Sequence, residues 1–115
     1  MPFNCTISEL TEARLVSVKG RVDSANARDF EKSLTPLLQD SMRDIILELS
    51  ALDYISSAGL RVILLVAKRA RAEKARMMLC GLSPNVKEVF EISGFLKILD
   101  AADDLAAARG RLAPP

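Results

Sequence analysis

Apolar and polar positions alternate twice near the start of the chain. The alternation is loose over Phe3 to Leu10 and clean over Arg14-Leu15-Val16-Ser17-Val18-Lys19-Gly20, with Thr11-Glu12-Ala13 between. A period of two is that of a strand, so the pattern predicts an N-terminal hairpin, which the chain leaves through Gly20-Arg21-Val22-Asp23. The period then lengthens. Ala27, Phe30, Leu34, Leu37 and Leu38 recur at threes and fours behind Asp23 or Ser24, either of which can cap a helix. Pro36 lies inside that stripe and removes a backbone hydrogen bond, which predicts a kink or a distorted last turn. After a connection over residues 39–43, Ile45-Ile46-Leu47-Glu48-Leu49 is mostly branched and apolar, as in a strand buried on both faces. A loop at 50–59 leads to a helix from Leu60 to Lys74, and Met77-Met78-Leu79-Cys80-Gly81-Leu82 reads as the next strand. Ser83-Pro84 opens a further helix with serine as cap and proline in the first turn. It turns Val86, Val89, Phe90 and Ile92 inward and closes at Gly94. Phe95 to Leu99 suggests a short last strand, and Asp103 to Leu112 a short alanine-rich helix before Pro114-Pro115. Helices alternating with buried strands imply an α/β fold: a mixed, mostly parallel sheet of about five strands flanked by about four helices.

The long helix is not simply amphipathic. Leu60, Ile63, Leu64, Ala67 and Ala70 share one face at about 100° per residue, enough to hold it on the sheet. Val62, Leu65 and Val66 point roughly the other way, flanked by Arg61, Lys68 and Arg69. Either a neighbouring helix covers them or they form a docking patch rimmed by charge. Lys68, Arg69, Arg71, Lys74 and Arg76 make the far end basic, which the helix dipole favours in any case. With no aromatic residues interleaved to stack on bases, a nucleic-acid partner is not expected.

Composition narrows the chemistry. The 115 residues suit one domain, 1–115, and the formal charge of +1 suits neither a disordered tail nor a bulk polyanion binder. No apolar run approaches the roughly 18 residues that span a bilayer. Met1-Pro2-Phe3-Asn4-Cys5 lacks the pattern of a signal peptide, so a soluble, cytoplasmic protein without membrane insertion is expected. Cys5 and Cys80 fall in no metal or redox spacing and read as buried free thiols. Histidine is absent, which removes the commonest general base and metal ligand; no catalytic residue, metal site or cofactor is expected.

The candidate chemistry sits in Leu52-Asp53-Tyr54-Ile55-Ser56-Ser57-Ala58-Gly59-Leu60, where two serines and two small residues join the buried strand to the long helix. One serine can cap the helix, and the small residues permit close approach to an N-terminus that favours anions. A serine nucleophile needs a base, and neither histidine nor a lysine stands beside this loop. A serine acceptor needs none, because a separate kinase supplies base, metal and nucleotide. Phosphate would add about −1.5 to −2 charges, with Arg61 four residues after Ser57 placed to pair with it. A partner docked on the loop and on Val62, Leu65 and Val66 would then meet an unwelcome charge. On spacing alone Ser56 and Ser57 can equally be helix caps, and Asp23 and Asp53 turn or capping carboxylates.

Three stretches together resemble the STAS domain family, in particular the stand-alone bacterial anti-sigma factor antagonists. They are Gly20-Arg21-Val22-Asp23, the strand Ile45 to Leu49 leading into Asp53 to Leu60, and Leu82-Ser83-Pro84-Asn85-Val86 with Ser93-Gly94-Phe95. The resemblance implies a STAS fold and a protein that captures an anti-sigma factor, itself a serine kinase, and so frees a sigma factor or other target. Phosphorylation releases the partner, and a PP2C-type serine phosphatase resets the switch. By position the acceptor falls on Ser57, and Asp23 matches an acidic residue near it. Many family members have aspartate where this chain has Ser56, which makes Ser56 the alternative acceptor. The implied partner surface comprises Asp23, Ser56, Ala58, Gly59, Arg61, Val62, Leu65 and Val66. Two other functions compete: an unphosphorylated scaffold subunit of a transporter or signalling assembly, and a small nucleotide-binding protein. The latter is disfavoured because the chain has no Gly-Lys-Ser/Thr phosphate loop and no clustered carboxylates for magnesium.

Overall fold

The computed structural model describes residues 3–39 and 42–113, so the middle of the expected connection at 40–41 and the Pro114-Pro115 end lie outside the described residues. Strands β1 (Phe3–Glu9) and β2 (Arg14–Val22) form the expected antiparallel hairpin, in register from Phe3 opposite Gly20 to Glu9 opposite Arg14. β2 continues two residues past Gly20, where the pattern had the chain leaving the strand. Gly20 has φ +91°, and the register shifts between Gly20 and Arg21. That irregularity lets one strand serve two neighbours: its first part pairs in parallel with β3 (Ile45–Glu48), its last part with β4 (Leu52–Ile55). β5 (Met77–Cys80) joins β3, and β6 (Asp100–Ala102) joins β5, both in parallel. Among the described residues the sheet thus has six strands, in the order β1-β2-β3-β5-β6, with β4 beside β2.

Two expectations are corrected here. The stretch read as a loop before the serines contains β4, whose apolar ends Leu52 and Ile55 are buried around exposed Asp53 and Tyr54. The strand expected at Phe95 to Leu99 is a single 3₁₀ turn, Phe95–Lys97, followed by β6 three residues on. Gly94, at φ +78°, turns the chain there, as its place after the third helix predicted.

Side chains sort onto the two sheet faces by the period of two. Ile45, Leu47, Met77 and Leu79 join Val16, Val18 and Val22 in the main core beneath α1 (Ala27–Leu34), α2 (Ser57–Ala72) and α3 (Pro84–Ser93). Ile46, Met78 and Cys80 face the other way, against Ala108 and Leu112 of α4 (Leu105–Leu112). Both thiols are free, Cys80 buried and Cys5 half-buried, and they lie on opposite faces of the sheet. α1 ends in a 3₁₀ turn at Thr35–Leu37 that contains Pro36, the distorted last turn that proline imposes. Its N-cap is Asn26, not Asp23 or Ser24, and Ile92 of α3 is 78% exposed, outside the inward face expected for it.

Candidate functional site at the N-terminus of α2

Because β2 and β4 run in parallel, their C-terminal ends meet at one edge of the sheet, the usual place for a site in such folds. The Ser56 N–H donates to the Val22 carbonyl at 2.8 Å, which seats the start of α2 beside the turn containing Asp23. Ser56 is the N-cap: its extended backbone (φ −85°, ψ 171°) leaves its hydroxyl to accept from the Gly59 N–H at 3.2 Å. It is only 8% exposed. Ser57 is the first residue of the helix and is exposed. The N–H groups of Ser57 and Ala58 precede the first carbonyl that a helical residue can reach, so they present donors and the positive end of the dipole to the surface.

Gly59 explains how close this helix end comes to the sheet. A Cβ there would stand 2.7 Å from Val22 Cγ1 and 2.8 Å from Ile55 Cγ1, closer than carbon atoms approach. Its missing side chain is a packing requirement that fixes the height of both serines above the strands, and Gly59 itself is buried. Asp23, half-buried, has a local task too: its Oδ1 accepts from the Ala25 N–H at 2.9 Å and the Asn26 N–H at 3.0 Å, while Asn26 Oδ1 accepts from the Asp23 N–H at 2.8 Å. These bonds hold the β2–α1 turn rigid against the serine edge.

Ala58 is half-buried and Arg61 exposed, one turn along α2 from Ser57. The expected Val62-Leu65-Val66 patch does not form. Val62 is 5% and Val66 2% exposed because α1 packs across that side of α2 and draws them into the core with Phe30 and Leu34. Leu65 alone remains open, at 50%. The structure therefore brings Asp23, Ser56, Ser57, Ala58 and Gly59 to one edge, continues it along the helix with Arg61 and Leu65, and removes two valines.

A neighbouring feature had no signal in the sequence pattern. Arg21 and Tyr54 are partners across β2 and β4, and the guanidinium carbon sits 4.4 Å from the ring centroid. With Asp53, Asn85 and Val89 they border a shallow depression of about 260 Å³. Among the described residues no group of three metal-ligating side chains is found and no helix is long and apolar enough to cross a membrane.

A mixed, mostly parallel sheet carrying a serine-capped helix at the C-terminal end of its strands defines a class of α/β module, and comparison with known proteins identifies which. The chain belongs to the STAS domain family, whose pattern matches residues 4–108. It is 46% identical over 103 residues to BtrV of Bordetella bronchiseptica, whose name assigns it to the anti-sigma factor antagonists; the match covers 90% of this chain and 89% of BtrV. The crystal structure of an anti-sigma factor antagonist from Mycobacterium paratuberculosis superposes with a TM-score of 0.87 at 19% identity, over 96% of this chain and 94% of that one. The Bacillus cell fate determinant SpoIIAA in its phosphorylated form superposes with a TM-score of 0.72 at 20% identity, over 96% of this chain and all 100% of that one.

Proposed function

We propose that this chain is an anti-sigma factor antagonist whose hold on its partner is switched by phosphorylation of Ser57. The observation that carries this reading is the division of labour between adjacent serines. Ser56 is buried and commits its hydroxyl to the helix cap, whereas Ser57 offers an exposed hydroxyl at the first position of the same helix. A kinase that took Ser56 would have to break the cap, at a cost of about 1 kcal/mol, whereas Ser57 can be modified with the fold intact. The relationship to BtrV supports the antagonist role, and the phosphorylated state of SpoIIAA supports phosphate as the modification in this fold.

The unmodified protein acts as a binding partner in the cytoplasm. It presents the serine edge, Asp23 and the Arg61–Leu65 stripe to an anti-sigma factor that is itself a serine kinase. Capture of that protein frees its sigma factor or other target. In the switching step the Ser57 oxygen attacks the γ-phosphorus of ATP held by the kinase. The oxygen–phosphorus bond forms as the bond to ADP breaks, and the hydroxyl proton passes to the kinase's base. The added charge is tolerated at the helix N-terminus and can pair with Arg61, but it faces the docked partner, so the complex dissociates. A PP2C-type phosphatase hydrolyses the ester and restores the hydroxyl.

The test is intact-mass analysis with site mapping after incubation with ATP and the anti-sigma kinase. Wild type and Ser56→Ala should each gain one phosphate, and Ser57→Ala none. Phosphate lost only in Ser56→Ala would move the acceptor by one residue, and no phosphate on any variant would overturn the switch.

A further inference from the structure

The opposite end of α2 holds a second recognition surface. Leu64, Ala67, Lys68 and Arg71 recur at threes and fours and form one wall of a half-open groove of about 390 Å³. Ala75 and Met77 continue the lining, and Ile98, Leu99 and Asp100 complete it from the segment entering β6. Ile98 stands 52% exposed at its edge. Of the four cations in the lining, Arg76 is already engaged: its Nη2 lies 2.9 Å from Asp44 Oδ2 and donates to the Leu112 carbonyl at 3.2 Å. Among the described residues Lys68, Arg71 and Lys74 make no side-chain hydrogen bond or ion pair, and Asp100 is the sole acid of the lining.

Lys74 adds an independent observation. It is the one non-glycine residue with positive φ among those described, at +61°, in the turn that ends α2. A glycine would adopt that conformation without strain, yet the position carries a long cation directed to the groove lining. Dipole compensation accounts for basic residues at a helix end, but not for an apolar concavity between them.

We infer that this groove docks an acidic amphipathic segment of a partner protein, with apolar side chains against Leu64, Ala67, Met77 and Leu99 and carboxylates on Lys68, Arg71 and Lys74. Three observations select that occupant. Six of the eleven lining residues, Leu64, Ala67, Ala75, Met77, Ile98 and Leu99, are apolar and none is an aromatic ring on which a base could stack, so the floor suits leucine-like side chains. The free cations are spread along the last helical turn and the turn beyond it, roughly 9 Å, which suits several carboxylates more than one headgroup. The groove is half-open, which leaves a lone acyl chain partly in water but suits one face of a peptide. Along the helix Ser57 lies roughly 10 Å from Leu64 at the near edge of the groove and roughly 20 Å from Arg71, beyond a Debye length from most of its cations, so this contact is independent of the phosphorylation state.

The experiment is a ¹⁵N-labelled titration of the whole protein with a 16-residue peptide in which glutamate pairs flank leucines at helical spacing. Amide shifts should be confined to the groove, and Lys68→Glu combined with Arg71→Glu should weaken binding by about tenfold or more, since exposed ion pairs contribute up to about fivefold each. Lys74→Gly should weaken it too while leaving the melting temperature unchanged or higher, a combination that a purely structural role for Lys74 does not give. Ser57→Glu should bind as wild type does. Absence of groove shifts at millimolar peptide would overturn the proposal. So would equal binding of a leucine-to-serine peptide, or tighter binding of single-stranded RNA or palmitate at the same residues.

Discussion

The two ends of α2 solve opposite problems with the same sixteen-residue helix. At the N-terminus everything is small and closely packed: a buried serine caps the first turn, Gly59 lets the helix approach Val22 and Ile55, and the one exposed hydroxyl is held to a fixed height. At the C-terminus the helix stops at Ala72, the turn beyond it places Lys74 in the left-handed region, and a half-open groove lined by basic side chains reaches Asp100 at the start of β6. The proposed phosphorylation of Ser57 calls for a rigid setting, whereas the proposed charged docking groove tolerates movement. The difference predicts that substitutions at the first end act through stability and position, and those of the exposed Lys68 and Arg71 side chains at the second through binding, with Lys74 adding a stability effect through its backbone.

The largest effect should come from filling the space at Gly59. Gly59→Ala forces carbon contacts apart, and overpacking of this kind costs about 1–3 kcal/mol. Thermal denaturation should show a drop of several degrees, with a matching loss of partner capture. Next, Ser56→Ala should cost about 1 kcal/mol by removing the cap, whereas Ser57→Ala should stay within about 0.5 kcal/mol. Equal losses in parallel urea denaturation curves would erase the division of labour between the serines. Lys74→Gly should stabilise the fold by about 1 kcal/mol by relieving the left-handed backbone, the reverse of the Gly59 result at the other end.

The smallest test concerns the face of the sheet away from both ends. Burial, with help from the nearby Glu48 and Asp104 carboxylates, pushes the Cys80 thiol up to about 11 from its ordinary 9.0. A thiol raised on folding stays neutral in the folded state while the unfolded chain ionises. Its contribution to stability is therefore complete below about pH 9 and is lost as the pH climbs toward 11. Comparing the alkaline melting profile of wild type with that of Cys80→Ala should show the wild type falling more steeply across that window. Identical slopes would mean that the thiol is not the group responsible.

Much of this arrangement is legible in the chain, for identifiable reasons. The branched run Ile45 to Leu49 and the clean alternation of Arg14 to Gly20 carry their own periods, and Ser83-Pro84 and Gly94 mark their helix by cap chemistry. β4 is not legible, because Leu52 and Ile55 do not alternate and the strand exists only through pairing with the end of β2 beyond the Gly20 irregularity. Phe95-Leu96 has strand-like residues but follows a left-handed glycine, while Asp100-Ala101-Ala102 has little strand propensity and is recruited by β5. The all-round apolar start of α2 signalled a cover on two sides, but a single chain pattern does not say whether α1 or a foreign protein supplies it. Pairing of the serines with the Asp23 turn was suggested only by resemblance; the Ser56 to Val22 hydrogen bond gives it a physical basis.

The most direct test of the central claim is the affinity of the anti-sigma kinase, measured by calorimetry, for unmodified protein and for protein stoichiometrically phosphorylated on Ser57. The account predicts that the phosphate lowers affinity by about a hundredfold or more, the consequence of a few kcal/mol of charge misplaced in an interface, while the circular dichroism spectrum and melting temperature barely change. Equal affinity of the two forms, with both folded, would contradict it.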